Sequence, residues 1–141
     1  MRGIEREPDA VAAYEFDRDV TAEPIGFVEH PTIPMCGASP DRSVGDDGLL
    51  EVKCPRVTTF LEVKLGWPNK ADDGYLMQCS WQLACTGRKW NDLTYYCQEM
   101  PIGKQLYVRR IPRDENVIAA METEARAFLA ELAELEQQFA R

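Results

Sequence analysis

Apolar positions along the chain follow two periods, and the switches between them mark its elements. Residues 4–16 set Ile4, Val11, Ala12 and Phe16 on one predicted helical face. Pro8 is tolerated only in a first turn, so the regular helix is expected to begin near Glu7. Two short extended runs follow at 25–29 and 33–38, split by His30-Pro31-Thr32. A third at 48–53 alternates charged and apolar residues at its end and is stopped by Pro55. These three are expected to form an antiparallel meander, with a turn over 42–48. The helical period returns over 57–65, breaks at Gly66-Trp67-Pro68-Asn69, and resumes over 75–85. There Leu76, Cys79, Trp81 and Leu83 serve packing, while Gln78 and Gln82, four apart, share a face. Thr86-Gly87 ends that helix. Residues 93–98 and 105–111 read as two more strands, and Asp114 is placed to cap a final helix reaching toward Ala140. Along it Ile118, Met121, Ala125, Phe128, Leu132, Leu135 and Phe139 recur at spacings of three and four. Such a seam suits packing along the domain or against a partner helix.

Composition narrows the class. At 141 residues, 45% hydrophobic and 28% charged, the chain reads as one globular α+β domain over 1–141. No run approaches the roughly 18 apolar residues of a membrane span, and the start lacks the apolar core of a signal peptide. Five cysteines without a CxxC pair disfavour zinc and iron–sulfur sites, and most read as reduced core residues in a cytoplasmic protein. A single histidine disfavours histidine-based catalysis. The net charge of -8 is unfavourable for a nucleic-acid partner, but it is unevenly spread. Residues 51–113 carry 10 basic and 6 acidic side chains, while both flanks are acidic.

The basic region begins at the one stretch that carries chemistry. Glu51 and Lys53, two apart in a strand, project to one face while Leu50 and Val52 take the other. A turn would fold Asp41, just after Pro40, back beside them. Two carboxylates that close repel unless a cation lies between them, and Mg²⁺ prefers oxygen ligands. The lysine is then placed to orient or deprotonate a water, an arrangement that predicts a metal-dependent DNA nuclease. A bland alternative exists: a same-face Glu51–Lys53 ion pair worth under about 1 kcal/mol. Glu7, at the positive end of the first helix, has its own alternative as a solvated first-turn acid. Arg56 and Lys64, just past the triplet, are the nearest candidates for contacts to a DNA backbone.

Gly3 … Glu7, Glu15-Phe16, Ser39-Pro40-Asp41, Gly48-Leu49-Leu50-Glu51-Val52-Lys53-Cys54-Pro55 and Tyr75 … Gln78 together resemble the lambda-exonuclease-like (YqaJ-type) viral recombinase nucleases of the PD-(D/E)xK superfamily. The resemblance implies a restriction-endonuclease-like core, a central mixed β-sheet flanked by helices, without the N-terminal helices with which the family's domain begins. It implies Asp41, Glu51, the backbone carbonyl of Val52 and Glu7 as ligands of Mg²⁺ or Mn²⁺. Lys53 would activate the water, and Gln78 would help position the active-site groups. The implied activity is exonucleolytic hydrolysis of duplex DNA from a 5′ end, in phage-type recombination with a single-strand annealing partner. Relatives assemble into ring trimers, so a homo-oligomer is also implied, in a phage- or prophage-encoded protein of the bacterial cytoplasm. Two other functions stay open on the residues: an impaired nuclease remnant serving as a binding or assembly module, and a site-specific endonuclease.

Overall fold

Two strands buried on both sides set the rest of the molecule, which is described here from a computed structural model. It covers the backbone of residues 2–140 and the side chains of residues 6–140, so Gly3 and the predicted apolar contribution of Ile4 lie outside the described side chains. β5 (Gly48–Lys53) and β6 (Trp90–Tyr96) run parallel, with Leu50 level with Asp92 and Glu51 with Leu93. Strands covered on both faces are read as near-continuous apolar runs; Glu51 and Asp92 are the buried charged exceptions within them, and Lys53 ends β5 half-buried. Gly48 is required by close approach, because a Cβ there would lie 2.1 Å from the Trp90 ring.

β7 (Leu106–Pro112) pairs antiparallel with β6 on one side. On the other, β4 (Arg42–Val44) pairs antiparallel with β5, and β1 (Ala22–Glu23) completes the order β1-β4-β5-β6-β7. The predicted meander is therefore wrong. Residues 42–44 are a strand where a turn was expected, and the tight turn is confined to 45–47, where Gly45 takes φ +58. β2 (Val28–Glu29) and β3 (Gly37–Ala38) form a separate two-stranded ribbon. The predicted strand at 33–38 is mostly loop because it wraps His30, whose Nδ1 accepts from the Thr32 and Ile33 amides at 3.1 and 3.0 Å. That leaves Nε2 to carry the ring proton toward Glu122, 2.5 Å away.

Helices cover both faces. α1 (Arg2–Arg18), with Pro8 inside it, starts earlier than expected. It packs Ala10, Val11 and Tyr14 against Leu50, Val52 and Tyr96. The predicted face was rotated: Ala12 is exposed and Phe16 is 92% exposed. α2 (Val57–Lys64) and α3 (Lys70–Thr86) cover the opposite face, burying Phe60, Val63 and Cys79 against Leu93 and Tyr95, and Leu83 against Leu49. Asn69 caps α3 by accepting the Asp72 amide, and Gly87 closes it at φ 74.

α4 (Glu115–Phe139) is capped by Asp114 as predicted. Ile118 is buried, but Phe128 is 63% exposed and Leu135 and Phe139 are exposed too. Along the seam Met121, Ala125 and Leu132 are partly covered, Leu132 beside Pro34 and Met35, so only part of it is used for intramolecular packing. No described helix is long and apolar enough to cross a membrane.

Candidate active site

The β4–β5 ladder ends at Arg42 opposite Leu50, so the Val52 amide has no strand partner on that side. Asp41, just before β4, supplies one: its Oδ2 accepts from Val52 N–H at 2.8 Å. A strand residue sends its N–H and C=O out on the same side, so the Val52 carbonyl is directed toward the Asp41 side as well. Proline ahead of Asp41 has no amide to continue the ladder. The sequence thus releases a short gap in the sheet and fills it with a carboxylate.

Glu51 points the other way from Leu50 and Val52, toward α3, and is only 3% exposed. Its Oε1 accepts from Gln82 Nε2 at 3.0 Å, and its Oε2 lies 3.0 Å from Lys53 Nζ. Behind it the Asn91 side-chain amide donates to Gln82 Oε1 at 2.7 Å, which fixes the orientation of the Gln82 amide. Burial pushes the Glu51 carboxyl above its ordinary range, and the nearby Asp41 charge pushes it further; Gln82 and Lys53 offset only part of this. The Lys53 ammonium also donates to Gln78 Oε1 at 3.0 Å and lies 4.2 Å from the centre of the Tyr75 ring. Gln78 and Gln82 therefore share a face as predicted and divide the work: one holds the lysine, the other the buried acid.

Glu7, Asp41, Glu51, Val52, Lys53, Cys54, Pro55 and Tyr75 line one cleft of about 360 Å³. A larger cavity of about 730 Å³, along the 27–36 loop, contains none of these groups. Glu7 reaches the cleft from α1, where Arg42 Nη1 donates to its Oε1 at 3.3 Å. Arg56, just before α2, and Lys64, at its end, are exposed and do not line the cleft.

The donor set suits a hard divalent cation. Two carboxylates and a strand-edge carbonyl converge, and the repulsion that raises Glu51 is what such a charge would relieve. Among the described residues no three acids already stand close enough together to enclose an ion; the third, Glu7, is held by Arg42. The sequence reading gave no role in the site to Gln82, Asn91, Tyr75 or Arg42. For Gln82 a signal was present, its four-residue offset from Gln78, but nothing local showed that it is buried against Glu51.

The family model for the YqaJ-like viral recombinase domain matches residues 1–89. In three dimensions the chain is similar to an alkaline exonuclease (LHK-Exo) from Laribacter hongkongensis, with a TM-score of 0.87 and 44% identity over 95% of this chain and 69% of that one. The structure of LHK-Exo in complex with dAMP gives a TM-score of 0.87 and 45% identity over 96% and 69% of the two chains. A phage related exonuclease from Haemophilus somnus 129PT, 12% identical over 93% of this chain and 72% of that one, has the same fold at a TM-score of 0.67. No curated protein matches the chain.

Proposed function

The chain belongs to the YqaJ-like viral recombinase domain family, and from that premise we propose that it is a metal-dependent exonuclease of duplex DNA, working from a 5′ end. The observation that carries this reading is the convergence of Asp41, Glu51 and Lys53 in one cleft, with Glu51 buried and only partly compensated. A solvated salt bridge, the alternative for Glu51 and Lys53, would leave Glu51 in water. The nucleotide dAMP in the related exonuclease's structure is the kind of product such a cleft would release.

Asp41, Glu51, the Val52 carbonyl and Glu7 would hold Mg²⁺ or Mn²⁺. When bound, the cation neutralises phosphate charge and acidifies a water at the site. The chain's own contribution is orientation. Gln82 and Asn91 fix the Glu51 carboxylate from below. Gln78 and the Tyr75 ring hold the Lys53 ammonium at the cleft, where it directs a proton-bearing group toward the attacking water or the phosphate. Arg56 and Lys64 contact the DNA backbone beyond the cleft. The setting is phage-type recombination in a bacterial cytoplasm, with a single-strand annealing protein as partner and a ring-shaped homo-oligomer around the duplex.

Duplex DNA labelled at either end and incubated with Mg²⁺ tests this. Label should be lost first from 5′ ends, closed circular DNA should survive, and Lys53→Ala should slow degradation by roughly 10²- to 10⁴-fold while keeping the wild-type circular dichroism spectrum. Absence of Mg²⁺-dependent degradation, or equal degradation by Lys53→Ala, refutes the proposal. Cleavage of closed circles would replace it with an endonuclease.

A further inference from the structure

Each carboxylate of the cleft already has partners, and they differ in kind. Asp41 accepts a backbone amide. Glu51 accepts an amide side chain and the ammonium two residues on. Glu7 is held by Arg42, a cation from another element, so α1 and β4 meet through opposite charges at the cleft. The Arg42 guanidinium is anchored independently, since Nη1 also donates to the Asp41 carbonyl at 2.7 Å. Arg42 therefore does not depend on Glu7 for its place.

The pair is made for exchange. Its side chains are 26% and 30% exposed, and the single N···O contact of 3.3 Å is long for a charge-assisted bond. A partly exposed pair of this kind changes an equilibrium by no more than about fivefold. A divalent ion held by Asp41, Glu51 and the Val52 carbonyl offers Glu7 twice the charge of a guanidinium. Guanidinium charge is permanent, so Glu7 changes partner only by substitution of one cation for another.

We infer that Arg42 is an internal competitor for the divalent cation: it occupies Glu7 when the cleft is metal-free and yields it when the ion enters. This rests on the metal-dependent reading above. Arg42 is thus a positioning residue that holds the Glu7 side chain in the metal-free protein and lowers metal affinity in doing so. The energy is small because the fork is only partly used. Its consequence is directional: removing the competitor must tighten metal binding, whereas removing a simple support for Glu7 would weaken it.

Through-space repulsion between Arg42 and the ion would also make its removal tighten binding, so a double-mutant cycle is needed. Mn²⁺ is titrated into the metal-free full chain by calorimetry, and free Mn²⁺ is followed by electron paramagnetic resonance. Arg42→Gln keeps a donor for the Asp41 carbonyl while removing the charge, and is expected to tighten Mn²⁺ binding roughly two- to fivefold. In the Glu7→Gln background the same change is expected to alter affinity by less than about twofold. Arg42→Ala, checked for an unchanged melting temperature, should repeat the result. Unchanged or weaker Mn²⁺ binding in both Arg42 variants overturns the inference, as does an equal gain in the two backgrounds. If wild type and Arg42→Gln alike bind no Mn²⁺, the metal-dependent reading itself falls; if only wild type fails to bind, competition is stronger than inferred.

Discussion

Two buried carboxylates sit on neighbouring parallel strands and face opposite ways. Asp92 on β6 turns toward α1, where it accepts Arg110 Nε and Nη2 at 2.9 and 3.0 Å and the Tyr14 hydroxyl at 2.6 Å. Its charge is met by a forked cation and a phenol, and Arg110 is in turn stacked on Trp90. Glu51 on β5 turns toward α3 and is met by one amide and one lysine, with Asp41 opposing it. The strands and the degree of burial are nearly the same, so the difference lies in compensation. A fully compensated acid holds elements together, and here it ties α1 to the far strand pair. An under-compensated acid is held ready for a charge that arrives from outside.

The comparison breaks most visibly at the compensated site. Asp92→Asn removes the charge that Arg110 answers, and loses the bidentate geometry with it. Breaking a fully buried pair costs roughly 3–5 kcal/mol. Arg110 is half in water, so about 2–3 kcal/mol is expected, a fall of roughly 10 °C in melting temperature for a domain of this size. Thermal unfolding in EDTA measures it. A loss under about 3 °C would mean that Asp92 is as dispensable to the fold as any surface acid.

At the other site the sign reverses. Burial first, and Asp41 second, raise the Glu51 carboxyl, so the folded state favours its neutral form. A raised group contributes stability below its unfolded value and loses it as pH climbs through the folded one. Wild type is therefore penalised at pH 8, and Glu51→Gln should melt higher there by roughly 3–5 °C, the shift that about 1 kcal/mol produces. The gap should close as pH falls below about 4.3, where Glu51 is protonated in both states. A variant that melts lower at pH 8 would show that Lys53 and Gln82 compensate Glu51 as fully as Arg110 compensates Asp92.

Much of this contrast was hidden from the sequence, for a physical reason. Glu51 and Lys53 were legible because strand alternation fixes which side chains share a face within a few residues; Asp41 was placed beside them by an expected turn, which is shorter than expected and preceded by a strand. Gln78 was legible through its resemblance to a family motif, and Asp114 through local capping chemistry. Asp92 was not. Its partners lie 78 and 18 residues away in the chain, and no local pattern distinguishes a paired interior acid from a solvated one. The same limit misplaced the 42–44 strand, whose three residues acquire their conformation by pairing with β5, and the apolar face of α1. Tyr14, the residue that decides that face, reads as neither clearly apolar nor polar until its hydroxyl finds Asp92.

Tyr14→Phe gives the most selective change. The ring keeps its packing against Leu50 and Val52, and Asp92 keeps both Arg110 bonds, so no charge is orphaned. Only one hydrogen bond to a carboxylate is lost, about 1–2 kcal/mol, or roughly 3–8 °C in melting temperature. Burial, then the bond to Asp92, raises the phenol well above its usual range, so in the folded protein it stays a donor at every working pH. The contribution of a raised group is complete below its unfolded value, near 10 for tyrosine, and fades above it. The gap between wild type and Tyr14→Phe should therefore be flat from pH 6 to about 9.5 and narrow only beyond 10. Hydrogen exchange should quicken along α1 before it does so in β5 or β6, because Tyr14 and Glu7 lie two turns apart on one face. A gap that varies with pH between 6 and 9 would place a second titrating group at Asp92, and the two acids would then differ in degree and not in kind.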